Sequence, residues 1–207
     1  MVKNIIFDFD GTIVNTKELV MNLYNEIAEK NKFRIINEQE LDYISGLPYR
    51  DRAKYLKIPI YKIQLLMAGV LKRYKSHLNA IGLIDGIEEV LYKLKEKNIN
   101  LSIISSNAES TIKEYFKNKG ISVFDDIYSA KGLFGKDVSI SRYISKRRLD
   151  KDETLYVGDE VRDIHACKKS FVKIIAVTWG FDIHDALRSH NPDFLVSTPK
   201  EILDILS

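Results

Sequence analysis

Two aspartates separated by one residue, Asp8 and Asp10, stand where the apolar run Ile5-Ile6-Phe7 gives way to Gly11 and Thr12. The run is rich in β-branched residues and reads as a buried strand, Lys3 to Phe7, ending at the first acid. Carboxylates at i and i+2 can point into one pocket as a strand runs out. Gly11 then lets the backbone turn sharply. Two like charges held so close need a cation or a shared proton between them. A hard divalent ion such as Mg2+, which takes carboxylate, carbonyl and water oxygens, meets that need. Alone, the pair reads equally well as turn residues on a solvated loop.

Three further clusters change the balance. Ser105-Ser106-Asn107 closes the apolar run LSIIS and precedes a helix. Ser106 and Asn107 there read as the helix N-cap, or as a hydroxyl beside free N–H groups that cradles a phosphate. Lys136 lies in GLFGKDVSI, where a lone lysine is ordinarily a surface residue. In LYVGDEVRD, Asp159 follows a strand and a glycine, and Asp163 lies one helical turn further on the same face. Both acids can face a metal. Alternatively Asp159 caps the helix and Asp163 pairs with a basic residue, Glu160 being an outer partner and Arg162 a structural ion-pair residue.

The elements that must position these groups follow from periodicity. From Thr16, read as an N-cap, to about residue 80 the apolar spacing is helical throughout, with helices at 16–30, 38–44, 50–56 and 61–77. From Asp85 onward helices and short apolar strands alternate, which predicts a parallel sheet covered on both faces. The chain therefore reads as an α/β, Rossmann-like core, 1–15 and 80–207, with an inserted all-helical cap, 16–79. Ligands of such sheets sit beyond the carboxyl ends of the strands. Asp8, Ser106 and Asp159 all follow strand ends.

At 207 residues, 45% hydrophobic and 29% charged, the chain can bury a sizeable core and is not disordered. No stretch reads as a secretory signal, and none approaches the roughly 18 apolar residues of a membrane span. A single cysteine, Cys167, suits a reducing compartment. Together these predict a cytoplasmic protein without a membrane. A net charge of +3 argues little, and the clusters at 72–75 and 146–148 read as solvated faces, not a nucleic-acid site. His77, His165 and His184 read as surface or packing residues, and Trp179 and Cys167 as core or partly buried.

The segments KNIIFDFDGT, Ser106-Asn107, Lys136 and GDEVRD, in this order, resemble the haloacid dehalogenase superfamily, most of whose members are Mg2+-dependent phosphatases. The resemblance implies that Asp8 is the nucleophile and Asp10 the general acid and base. Ser106, or Ser105 in its place, binds the transferred phosphoryl group, with Asn107, Gly11 and Thr12 beside it. Lys136 neutralises phosphate charge. The family's lysine is commonly followed by proline where this chain has Asp137, which keeps Lys131 as an alternative. Mg2+ would be held by Asp8, Asp10 through its carbonyl, Asp159 and Asp163. VGDEVRDIHACKK followed by IIAVTWGF is similar to the phosphoglycolate phosphatase branch, although Ser170-Phe171 stands where that branch often has Ala-Gly.

The activity so implied is hydrolysis of a small phosphorylated, phosphoglycolate-like metabolite through an aspartyl phosphate. Tyr49, Arg50 and Arg52 lie where the family's caps reach the site, and Arg50 is the candidate for a second anionic group on the substrate. The protein would be a monomer or homodimer. A β-phosphoglucomutase-like mutase shares all four motifs, and pyrophosphate hydrolysis is a further alternative. A dehalogenase needs neither Mg2+ nor an acid at position 10. A non-catalytic binding module has no need of Asp8, Asp10, Lys136 and Asp159 in one pocket.

Overall fold

The computed structural model describes residues 1–47, 49–130 and 135–206, without the side chains of Tyr49 and Arg50. Along them run β1 (Asn4–Phe7), α1 (Lys17–Asn31), α2 (Glu38–Gly46), α3 (Tyr49–Tyr55), a 3-10 turn at Ile60–Lys62, and α4 (Ile63–Leu78). There follow α5 (Ile87–Glu96), β2 (Asn100–Ser105), α6 (Glu109–Lys119), β3 (Asp126–Ser129), α7 (Lys136–Arg147) and β4 (Thr154–Gly158). The last elements are α8 (Val161–Ser170), β5 (Lys173–Val177), α9 (His184–Ser189), β6 (Phe194–Val196) and α10 (Lys200–Ile205). The strands form one parallel sheet in the order β3-β2-β1-β4-β5-β6. This is the α/β architecture with a helical insertion that the pattern predicts.

β1 is central, with Phe7 opposite Ile103 of β2 on one side and Val157 of β4 on the other. All four of its residues are buried, because a parallel sheet carries helices on both faces. One core layer gathers Ile6, Ile104, Tyr156 and Ile174 from the sheet with Ile140, Ile144, Ile164 and Cys167 from α7 and α8. Cys167 is thus a core residue. Elsewhere Phe9 packs edge-on against Tyr115 and Phe116 of α6, ring centroids 5.5 and 5.7 Å away. The residue between the two acids is therefore a core anchor, fully buried.

The chain divides into two compact units, residues 1–15 with 82–207, and residues 16–81. Within the second, α1 packs against α4, and the two helices bury Leu19, Leu23, Tyr24 and Ile27 on one and Leu66, Val70, Tyr74 and Leu78 on the other. Among its described residues there is no strand. Where the sheet-bearing unit gives way to the insertion and resumes, the backbone pairs with itself: Ile84 N–H donates to the Ile13 carbonyl (2.8 Å) and Asn15 N–H to that of Gly82 (3.1 Å). Thr16 departs from its expected role. It occupies the N-cap position of α1 with φ −98° and ψ 0°, outside the extended backbone that aims a capping side chain, and its buried hydroxyl has no partner.

Because Phe9 fixes the backbone that carries both acids, Phe9→Ala is expected to destabilise the fold by about 3–5 kcal/mol. Phe9→Leu should cost less. Urea unfolding of the two variants against the natural protein measures both.

Candidate active site

Strand order reverses between β1 and β4, and it is beside such a reversal that a parallel sheet leaves a crevice at its carboxyl edge. Asp8 follows β1 directly, its N–H donating to the Val157 carbonyl at 2.8 Å. Asp159 follows the last residue of β4, Asp163 sits in the first turn of α8, and Lys136 opens α7. Helix α7 begins two residues earlier than the apolar pattern predicts, behind Gly135 at φ +104°. Four short elements thus aim four charged side chains at one point.

Asp8, Asp159 and Asp163 are buried, and one carboxylate oxygen of each lies within 4.8 Å of the others. Lys136 Nζ donates to Asp8 Oδ2 and to Asp163 Oδ1, each at 2.5 Å, and stands 5.3 Å from the centre of the Tyr156 ring. Two of the three carboxylates therefore share one ammonium, and Asp159 lies beside them without it. Burial, reinforced by Asp8 and Asp163, pushes the Asp159 pKa well above the carboxylate range, although the Phe181 N–H and the Thr12 hydroxyl pull the other way. Burial also raises that of Asp8 against the pull of Lys136. For Lys136, burial opposes the ammonium, but Asp163 and Asp8 outweigh it and leave its pKa above the ordinary lysine value. The centre is short of positive charge, and its donors are hard oxygens. A divalent cation of the Mg2+ kind fits this donor set.

Asp159 is held from several sides. Thr12 Oγ1 donates to its Oδ1 at 2.8 Å and the Phe181 N–H to its Oδ2 at 2.7 Å. A Cβ on Gly11, whose φ is +70°, would lie 2.3 Å from Asp159 Oδ2, and one on Gly180 would lie 2.2 Å from the same atom. Neither position has room for a side chain. Trp179, half-buried as expected, donates its indole N–H to the Thr12 carbonyl (3.1 Å).

Asp10 lies outside the converging triad. Its carboxylate accepts from Asn107 Nδ2 at 2.6 Å, and Asn107 in turn bonds Ser105 Oγ through its N–H and receives Ser129 Oγ on its carbonyl. The amide of Asn107 and the hydroxyl of Thr12, both assigned to phosphate from the resemblance, are each bonded to an acid in the structure. Ser105 is fully buried at the end of β2, whereas Ser106, the next residue, is half-buried. Neither Ser106 nor Asn107 caps α6. The cap position is Ala108, because the chain stays extended through it. Asp159 does not cap α8 either, since Glu160 does, its N–H reaching Asp163 Oδ2 at 3.2 Å and its carboxylate pairing with Arg162. Lys131 and the side chains of Tyr49 and Arg50 lie outside the described residues. Arg52 donates to the carbonyls of Leu47 and Ser45 at the end of α2. His77, His165 and His184 are exposed.

The segment Trp179–Asp182, after β5, is the part of the site to which sequence reasoning gave no functional role, reading Trp179 as core or partly buried. Its signal was a glycine between two aromatic residues at a strand's carboxyl end. Residues 5–177 match the sequence profile of the haloacid dehalogenase-like hydrolases. The chain belongs to that family. It is 27% identical over 204 residues to a phosphoglycolate phosphatase of Synechococcus elongatus, covering 98% of this chain and 96% of that one. With the pyrophosphatase PpaX of Oceanobacillus iheyensis it shares 25% over 213 residues, covering 99% and 97%. A haloacid dehalogenase-like hydrolase from Streptococcus pneumoniae superposes with a TM-score of 0.83 at 22% identity, covering 100% of this chain and 99% of that one. Among the described residues, no helix is long and apolar enough to cross a membrane.

The buried acids make a prediction about the stability of this hydrolase in the absence of added cation. The folded pKa of Asp159 is raised, so its contribution to stability is complete below the ordinary carboxylate range and is lost as pH rises through the raised value. In EDTA, Asp159→Asn, which can still bond Phe181 and Thr12, should melt above the natural protein at neutral pH. The gap should close toward about pH 4. Excess Mg2+ should reverse the order, as thermal unfolding would record.

Proposed function

We propose that this protein is a Mg2+-dependent phosphatase that hydrolyses a small phosphorylated, phosphoglycolate-like metabolite through an aspartyl-phosphate intermediate. The observation that carries the reading is the buried Asp8–Lys136–Asp163 cluster completed by Asp159 at the sheet's switch point. A phosphoryl group brought there meets a carboxylate oxygen, a fixed ammonium and a water-poor pocket. Asp8 Oδ1 accepts the Phe9 N–H at 2.7 Å and Oδ2 the Lys136 ammonium, so the nucleophile is oriented before substrate arrives.

Asp8 attacks phosphorus in line as the bond to the leaving oxygen breaks, and Asp10 gives that oxygen its proton. Asp10 then takes a proton from water as it attacks the aspartyl phosphate, releasing phosphate and restoring Asp8. Asn107 holds the Asp10 carboxylate for both steps. Lys136 and the half-buried Ser106 receive the phosphoryl oxygens. Mg2+, held by Asp8, Asp159 and Asp163 with the Asp10 carbonyl, would spread the charge that develops on the transferred group. Substrate choice is assigned to the helical insertion, with Arg50 for a second anionic group. The similarity to a pyrophosphatase over nearly the whole chain supports pyrophosphate hydrolysis as a second reading.

Phosphate release from phosphoglycolate, pyrophosphate, sugar phosphates and nucleotides, with Mg2+ or with EDTA, tests this function. Release should require Mg2+ and fall at least about 1,000-fold in Asp8→Asn, on the scale of losing a nucleophile. Normal turnover in that variant would remove the aspartyl phosphate from consideration, and isomerised sugar phosphate without release would indicate a mutase. Arg50→Ala should raise KM about tenfold for phosphoglycolate and leave p-nitrophenyl phosphate unchanged, as expected for one lost charged contact.

A further inference from the structure

Asp182 bonds to Asp159 and to Val161, within the short segment that joins Asp159 to Asp163. Its N–H donates to the Asp159 carbonyl at 3.3 Å, and its Oδ2 accepts the Val161 N–H, the first of helix α8, at 2.7 Å. Its side chain is buried, and a carboxylate at a helix N-terminus is favourably placed against the helix dipole. The residue before it, Phe181, gives its N–H to Asp159 Oδ2, and Trp179 holds the carbonyl of Thr12, whose hydroxyl meets Asp159 Oδ1. Gly180 passes against Asp159 so closely that no larger residue fits. Phe181, Trp179 and Asp182 thus each bond Asp159 or its partner Thr12.

We propose that Asp182 is a positioning residue: by bracketing residues 159–161 it fixes the separation of Asp159 and Asp163, and thereby sets the affinity of the site for its divalent cation. The proposal rests on Asp159 and Asp163 being ligands, and adds to that reading the group that spaces them. Asp182 acts through the backbone of α8 and through the turn over Asp159, as outer partners of metal ligands do.

Calorimetric titration of Mg2+ into the EDTA-stripped and dialysed protein tests this, beside thermal unfolding of each variant. Asp182→Ala leaves the Val161 N–H without its acceptor and should weaken Mg2+ binding about 10- to 100-fold. Turnover at saturating Mg2+ should be largely retained, so that the Mg2+ requirement shifts rather than the maximal rate. Asp182→Asn, whose side-chain carbonyl can still accept from Val161, should restore most of the affinity. A merely structural role would lower the melting temperature and leave the Mg2+ affinity alone, and that result in Asp182→Ala would overturn the proposal. Should that variant not fold, Asp182→Glu, which keeps a carboxylate acceptor but lengthens its reach to Val161, carries the test: unchanged Mg2+ affinity would overturn it and weakened affinity support it. Failure of the natural protein to bind Mg2+ would overturn the metal reading itself, a result distinct from a variant that binds as the natural protein does.

Discussion

Like charge in a dry place is the constraint on which the rest of this structure turns. Asp8, Asp159 and Asp163 are held within a few ångströms of one another, away from solvent, with a single ammonium between two of them. Such an arrangement is unfavourable by itself, and the surrounding fold holds the side chains in it with an ammonium and close hydrogen-bond donors. The parallel sheet does most of this. β1 and β4 lie side by side with their carboxyl ends level, so the residues that follow them emerge together. The helices that start nearby, α7 and α8, contribute Lys136 and Asp163 from their first turns.

The same constraint explains why the centre is lined with backbone and small residues. An acid that must be both buried and immobile needs donors at close range, and the nearest donors are N–H groups of turns. Asp8 takes one from Phe9, Asp163 one from Glu160 and Asp159 one from Phe181. Close approach of backbone to carboxylate then excludes Cβ atoms, which is the role of Gly11 and Gly180. Burial, hydrogen bonding and glycine placement are three aspects of one packing solution.

Much of this was legible in the sequence. Short β-branched strands alternating with amphipathic helices dictate a parallel sheet, and the acids stand out because they interrupt apolar runs at strand ends. The spacing of Asp159 and Asp163 is local, so it survives translation into three dimensions. What could not be read was long-range or conformational. The Thr12–Asp159 and Asn107–Asp10 bonds join residues 147 and 97 positions apart, and nothing in the local pattern reports which donor will meet which acid. Thr16 and Ser106-Asn107 are good capping residues by type, but capping depends on backbone angles at one residue, and these differ from the required ones at Thr16 and shift the cap to Ala108. The turn at Trp179–Asp182 carried no motif of its own beyond an aromatic-flanked glycine.

The paired backbone at Ile13–Asn15 and Gly82–Ile84 has a consequence for how such a chain can change over time. Because the polypeptide leaves and rejoins the sheet-bearing unit at neighbouring points, everything between them is, topologically, a long loop. Its length and content can vary without altering the register of any strand or the distance between any two of the converging acids. A lineage can therefore exchange the whole helical block while inheriting the charged centre intact, and a protein engineer can do the same by cutting at Asn15 and Gly82 and splicing in the corresponding block of a relative.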